Sequence, residues 1–372
     1  MELPPVNLEQ FWKDDKAAHE ENCFSKNAPQ VALGVRMSDE CVLAELGEKG
    51  SAWAAELSTE RRVELNKRYN DKAEKIVGIR LLRENFAPAD ADFPGIKRIG
   101  EVFGGRYTWY NDTEWLEGDI KTPRELEARL DKIDKTDLRE FILPEDWEKQ
   151  CKIIFEKYGI RPNGLHGVRG PVTLACSIFG IENLIYLIED EPDLAKRFSD
   201  TIADVIIKTA EIMDKEAGME SNSSGFWFND DNCCMLNAEM YEFFGYPILK
   251  RVFERFCPEP WHHRYQHSDS AMEHLLPVLC KLNFHGVNFG PTVTIDKIRK
   301  YMPQTRIDGC IAPYTFMNKD REKLIAEAKR DCEMAKQYGR GVNLATAGSI
   351  NYGSSLENMR ALMWAICEYG KY

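Results

Sequence analysis

Along the second half of the chain, short apolar runs alternate with longer stretches of helical period. Residues 163–170, 225–231, 261–269, 284–291, 305–313 and 341–347 read as strands bounded by glycine, proline and small polar residues. Residues 181–218, 238–256, 271–282, 295–302, 321–338 and 356–369 repeat their apolar positions at helical spacing, with Asn237 a plausible cap and Pro258 a stop. Six strand–helix units in succession imply a parallel sheet, each crossover right-handed by default. The N-terminal third adds strands at 30–35 and 106–110 and polar helical stretches at 8–21, 60–75 and 123–135. Eight units predict a (β/α)8 TIM barrel with an N-terminal helical extension, whose site lies at the C-terminal ends of the strands. The expected layout is a single domain, with residues 1–29 as the extension and 30–372 as the barrel. No glycine-rich phosphate loop follows any strand, which lowers the odds of a nucleotide-binding open sheet.

Composition narrows the class of partner. With 372 residues, 43% of them hydrophobic, the chain buries a large core, as two ordinary domains or one barrel with an extension. A net charge of −12 argues against nucleic acid or an anionic membrane surface, both of which reward a basic face. The longest apolar run is far short of a spanning helix. Met1-Glu-Leu-Pro-Pro lacks the basic start and apolar middle of a signal peptide, so a cytoplasmic location is expected. The eleven cysteines are scattered with no C-x-x-C pair, which removes a zinc ribbon or thioredoxin-like motif. Most read as small buried apolar residues, and so many free thiols suit a reducing, anaerobic cytoplasm.

Five of the seven histidines fall between residues 262 and 285, most of them where a strand runs out into a loop. Imidazole serves proton transfer near neutral pH and binds divalent metals, so that rim is where chemistry is expected. His262 and His263 alternate, so at most one shares a face with Tyr265 and His267. His274 and His285 read as structural.

Several motifs resemble those of the uroporphyrinogen decarboxylase superfamily. Gly167-Val-Arg-Gly-Pro-Val-Thr-Leu-Ala175 is similar to its Gly-x-x-Gly-Pro strand with a following hydroxyl and alanine, and Glu189-Asp-Glu-Pro192 to its acid-acid-Pro break. Asn229-Asp-Asp231 and Asn237-Ala-Glu-Met-Tyr241 look like its Asp-Asp strand end and the helix start after it. Gln266-His-Ser-Asp269 occupies the place of its His-x-Cys-Gly segment. The resemblance covers residues 30–370 and implies a (β/α)8 barrel acting either as a decarboxylase or as a methyltransferase serving a corrinoid protein. The decarboxylases carry an N-terminal arginine pair for substrate carboxylates; here Arg36-Met-Ser-Asp-Glu40 keeps the first and replaces the second by an acid, which fits a polyanionic porphyrinogen poorly. The coenzyme-thiol methyltransferases hold zinc on His-x-Cys and a late cysteine; here Tyr265-Gln-His267 and Gly348 stand in those places. The resemblance is therefore nearest the branch that demethylates aryl ethers or similar donors.

Within that frame Glu239, His267 and Cys310 form the candidate zinc set, an O/N/S combination with an open fourth position. The competing readings are a helix-start acid for Glu239, a buried strand cysteine for Cys310 and a hydrogen-bonded rim histidine for His267. Asp230 and Asp231 alternate across their strand; the inward one is a candidate acid or base, its proton affinity raised by crowding with Glu239, or else a capping acid. Arg169 and His166 point out of the glycine-rich strand; Arg169 is expected to grip a carboxylate or phenolate, or to pair with Asp230 or Asp231. Trp227, Tyr265, Phe289 and Tyr314, with Arg36, are the remaining candidates for a flat substrate pocket.

The expected function is transfer of a methyl group from a small, methoxylated aromatic donor to the cobalamin of a separate corrinoid protein, with zinc as Lewis acid. The alternatives are a cofactor-free carboxy-lyase acting on a small carboxylate, and a tetrapyrrole or corrinoid binder without turnover. Neither nucleic acid nor membrane is an expected partner, and the resemblance implies a homodimer.

Overall fold

The computed structural model describes residues 4–49, 57–110, 113–219, 225–318, 320–350 and 352–372. Its strands are β1 (Ala32–Leu33), β2 (Arg106–Tyr110), β3 (Thr113–Glu117), β4 (Gly167–Arg169), β5 (Gly225–Asn229), β6 (His263–Ser268), β7 (Gly286–Phe289), β8 (Arg306–Ile311) and β9 (Val342–Thr346). Seven of these pair in parallel, and only β2 and β3 run antiparallel to each other. The strand–helix alternation is that of the (β/α)8 class, with helices ahead of the first strand. Two compact units make up the chain.

The first unit comprises Met1–Phe86, Ser268–Glu273 and Gly286–Tyr372. Its sheet order is β1–β9–β8–β7, with Ala32 opposite Asn343 and Cys310 opposite Ala345. Helices Arg321–Tyr338 and Leu356–Tyr369 bury Leu324, Ala328, Leu362 and Ile366. These spacings of three and four residues are the stripe that the sequence displays. The N-terminal helix Leu8–Ala18 is tied down by its buried Asp15, whose Oδ1 accepts from Leu33 N–H at 2.7 Å. The hydrogen bond to Asp15, with a second to Cys23, raises the His19 pKa to about 10. The helix expected to reach residue 21 stops at Ala18. Beyond it Glu21, Asn22 and Cys23 take left-handed φ values of 52°, 56° and 66°. Bonds from elsewhere hold that turn: Arg306 Nη1 donates to Asn22 Oδ1 and Gly341 N–H to the Cys23 carbonyl, both at 2.8 Å.

The second unit comprises Ala87–His267 and His274–His285. Its parallel strands are ordered β4–β5–β6. Phe226 stacks on Phe256 with centroids 5.4 Å apart, and Phe228 meets Phe253 edge-on at 5.5 Å, fixing the helix Ala238–Phe256 against the strands. Asn237 caps that helix as expected, its side chain accepting from Met240 N–H. The expected continuous helix at 181–218 is two, Ile181–Asp190 and Pro192–Ala217, because Pro192 lacks the N–H that would continue the first and is well placed to start the second. Pro277 similarly limits the helix expected at 271–282 to Leu276–Leu279 between two 3₁₀ turns. The largest correction concerns 106–110. Instead of a parallel barrel unit it is one arm of a hairpin, with Thr108 opposite Trp115. Among the described residues no single helix is long and apolar enough to cross a membrane.

Candidate functional site

Strand alternation and register give β4, β5 and β6 two chemically distinct faces. Phe226 and Phe228 face the helices and are fully buried, so Trp227 and Asn229 turn the other way. Pairing then lays out two rows on that opposite face: Gly167–Trp227–Tyr265, and beyond it Arg169–Asn229–His267. Gly167 is required by its neighbour. A Cβ there would sit 1.9 Å from Trp227 Cε2, so the indole lies directly over the β4 backbone. With 48% of its surface exposed, Trp227 offers an open aromatic plane beside Tyr265.

Arg169 is the cation of this face. Its Nη2 donates to Ser177 Oγ at 3.1 Å, and Ser177 Oγ in turn donates to the Thr173 carbonyl at 3.0 Å. Neither expected carboxylate pairs with it. Among the described residues Arg169 has no ion pair, and its buried Nε has no hydrogen-bond partner. Such a guanidinium retains its forked geometry for an incoming anion. At the other end of the row His267 Nε2 lies 3.6 Å from Asp231 Oδ1, beyond an ordinary hydrogen bond but within ion-pair range. Both side chains are partly exposed, so protons and ligands reach them.

The two adjacent aspartates separate as alternation requires, and only Asp231 joins the open face. Asp230 faces the helical layer with no accessible surface. Its Oδ1 accepts from Thr173 N–H at 2.8 Å, which caps the helix Pro171–Phe179 from another strand. Burial raises its pKa to about 6, opposed by the Thr173 and Val172 amides and assisted by Asp231. Crowding with Glu239, the cause expected from the sequence, does not contribute. Glu239 is exposed in the first turn of Ala238–Phe256, where a carboxylate complements the helix dipole.

The remaining candidates fall in different surroundings. His166 precedes β4 and turns from the open face toward the helices, its Nε2 2.7 Å from the buried Asp214 Oδ1. Cys310 is fully buried; its N–H donates to Asp331 Oδ2 at 3.0 Å, and burial, then Asp331, push its thiol well above the usual range. Metals bind thiolate, so this environment opposes a ligand role. Of the expected O/N/S set, His267 alone lies on the open face, and the carboxylate beside it is Asp231 rather than Glu239. Phe289 is fully enclosed in β7, Tyr314 is 70% exposed in the helix Pro313–Met317, and Arg36 is exposed just after β1 with no ion pair among the described residues. Sequence reading passed over Asn229, which lies between Arg169 and His267, and Ser177, which steadies Arg169. The register makes both visible, whereas residue type alone does not.

Residues 123–369 match the uroporphyrinogen decarboxylase (URO-D) family. The chain belongs to that family. The matched span holds every candidate except Arg36, so the open face of β4–β6 lies wholly within the family region. A solved methyltransferase from Methanosarcina mazei shares the fold at 17% identity and a TM-score of 0.53, over 90% of this chain and 99% of its own. A B12-independent methionine synthase from Shewanella sp. W3-18-1 is a more distant likeness, at 13% identity and a TM-score of 0.39, over 84% of this chain and 88% of its own. No protein with a curated description matches. Family and fold together make this URO-D member a (β/α)8 barrel with N-terminal helices.

Proposed function

We propose that this URO-D family member is a methyltransferase that takes a methyl group from a small methoxylated aromatic donor and delivers it to the corrinoid of a partner protein. The observation that carries the reading is the grouping of an open indole, a phenol ring, an unpaired guanidinium and a His–Asp pair on one face of three strands. Trp227 and Tyr265 supply a flat surface for an aromatic ring. Arg169, steadied by Ser177, takes a carboxylate or phenolate of the same donor in bidentate fashion. His267 and Asp231 lie at the end of the row where the ether oxygen would sit. The leaving oxygen needs a hydrogen-bond donor as its bond to the methyl carbon breaks, and an imidazole N–H of His267, beside Asp231, provides one. His267 and Asp231 would supply two of the three protein ligands that a catalytic zinc takes; bound there it would supply Lewis-acid polarisation of the ether oxygen.

A carboxy-lyase is the second reading. It is favoured by Arg169, whose guanidinium has no carboxylate of its own among the described residues, and by the family's name. The two separate in one assay. Purified protein is incubated with a methoxybenzoate and a Co(I) corrinoid, and both corrinoid methylation and carbon dioxide are followed. Methylation lost by at least tenfold in His267→Ala supports the proposal; carbon dioxide release without corrinoid methylation refutes it.

A further inference from the structure

The helical layer of the second unit holds a cavity of about 680 Å³ whose charges run against those of the chain. It lies where the helices Trp147–Tyr158 and Pro192–Ala217 end, and no side chain of the open face lines it. The chain carries 61 acidic and 49 basic residues. This wall brings four cations, Arg139, Lys152, Arg161 and Lys215, against two acids, Glu148 and Glu216. Both acids are engaged by Arg139, whose Nη2 donates to Glu216 Oε1 at 2.9 Å and to Glu148 Oε1 at 3.1 Å. Glu216 also accepts from Trp147 Nε1 at 2.9 Å. Lys152 has only a 3.8 Å contact with Glu156, one turn along and exposed, which is worth little. Arg161 and Lys215 have no ion pair among the described residues. The cavity is therefore left with uncompensated positive charge.

Two contacts hold Arg161 in place without neutralising it. Its guanidinium lies over the Phe155 ring, 4.7 Å from the centroid, and that ring is itself 45% exposed. It also packs against Gly218, which closes the helix Pro192–Ala217 at φ 66°; a Cβ there would come within 3.1 Å of Arg161 Nη1. Lys215 stands in the last turn of the same helix. Complementing the helix dipole accounts for Lys215 alone, but not for a guanidinium seated on an exposed ring in the same cavity. A planar guanidinium takes an oxyanion through two parallel N–H groups, and an ammonium adds a point charge beside it. A carboxylate brings a single negative charge, whereas a phosphate monoester brings about −1.5 to −2 near neutral pH and so answers both cations. Phe155 and Ile160 line the rest of the wall and suit an apolar body on the ligand. We propose that this cavity binds a small organic phosphate, with Arg161 and Lys215 on the phosphoryl oxygens and Phe155 beside the organic part. The site stands apart from the methyl-transfer reading and does not depend on it.

The full chain is titrated by calorimetry with phenyl phosphate and, separately, with inorganic phosphate, at one fixed ionic strength. Phenyl phosphate is expected to saturate one site with a Kd of about 1 mM or tighter, and to bind at least about threefold better than inorganic phosphate. Arg161→Ala and Lys215→Met should each weaken it by about tenfold, the loss of one charge-assisted contact. Phe155→Ala should remove the preference for the phenyl ester. Lys215 is exposed, so Lys215→Met carries the test should Arg161→Ala fail to fold. Arg169→Ala should leave the affinity unchanged, which separates this cavity from the open face. No saturation by about 10 mM, equal affinity for the two phosphates, or a Kd unmoved in folded Arg161→Ala or Lys215→Met overturns the proposal. Loss of binding in Arg169→Ala overturns it as well.

Discussion

Replacing Asp230 by Asn tests the central electrostatic argument through stability, independently of any activity. The carboxyl group is fully enclosed, and burial lifts its pKa from 3.8 to about 6. A raised native pKa means that the folded chain keeps this proton over a pH range in which the unfolded chain has released it. The stabilisation is therefore complete below about 4 and is lost as pH rises through 6. A shift of about two units corresponds to about 3 kcal/mol at 1.36 kcal/mol per unit. Asparagine keeps an oxygen for Thr173 N–H and has no charge to bury. The stability difference between Asp230→Asn and the parent should thus move by up to about 3 kcal/mol in favour of asparagine between pH 4 and pH 8, or about 4 °C in melting temperature for a chain of this length. Paired melting or urea curves at each pH cancel the other carboxylates, whose titration is common to both proteins. A difference that stays flat with pH, or that grows in favour of the parent, refutes the reasoning.

Other outcomes follow from packing and from the open face. Phe253→Ala removes the ring that meets Phe228 edge-on and should cost about 3–5 kcal/mol by urea denaturation, with the native-state circular dichroism retained. Ser177→Ala releases Arg169 from its side-chain hydrogen bond to Ser177 Oγ; a weakened Kd for benzoate-type anions, measured by calorimetry without change in melting temperature beyond about 2 °C, is expected, and unchanged binding would remove Arg169 from the anion subsite. Gly167→Val should displace the Trp227 indole from the β4 backbone, seen as altered tryptophan fluorescence and acrylamide quenching; identical spectra would contradict the close approach.

Much of the fold was legible because it is written in period. Helices Ala238–Phe256, Arg321–Tyr338 and Leu356–Tyr369 begin and end where their apolar stripes do, since caps and stripe agree there. The hairpin was missed because Arg106–Tyr110 alternates like any half-buried strand, and alternation is silent on whether the partner is parallel. At the site, alternation separates Asp230 from Asp231 but does not say which one is buried. That depends on Phe226 and Phe228 finding the aromatic helix, a tertiary fact that drags Asp230 to the same side. Cys310 illustrates the reverse error: a cysteine near a strand end resembles a ligand until a helix places Asp331 beside it.

The left-handed turn at Glu21–Cys23 has a consequence for how this chain comes apart. Each such residue without glycine's freedom sits about 1–2 kcal/mol above its relaxed conformation. The turn is thus a spring held shut by two catches, the Arg306 fork and the Gly341 amide. Once either catch slips, the recoil favours further loosening, so amide exchange at Gly341 should report the earliest breathing of the N-terminal helix, well before the sheet lets go.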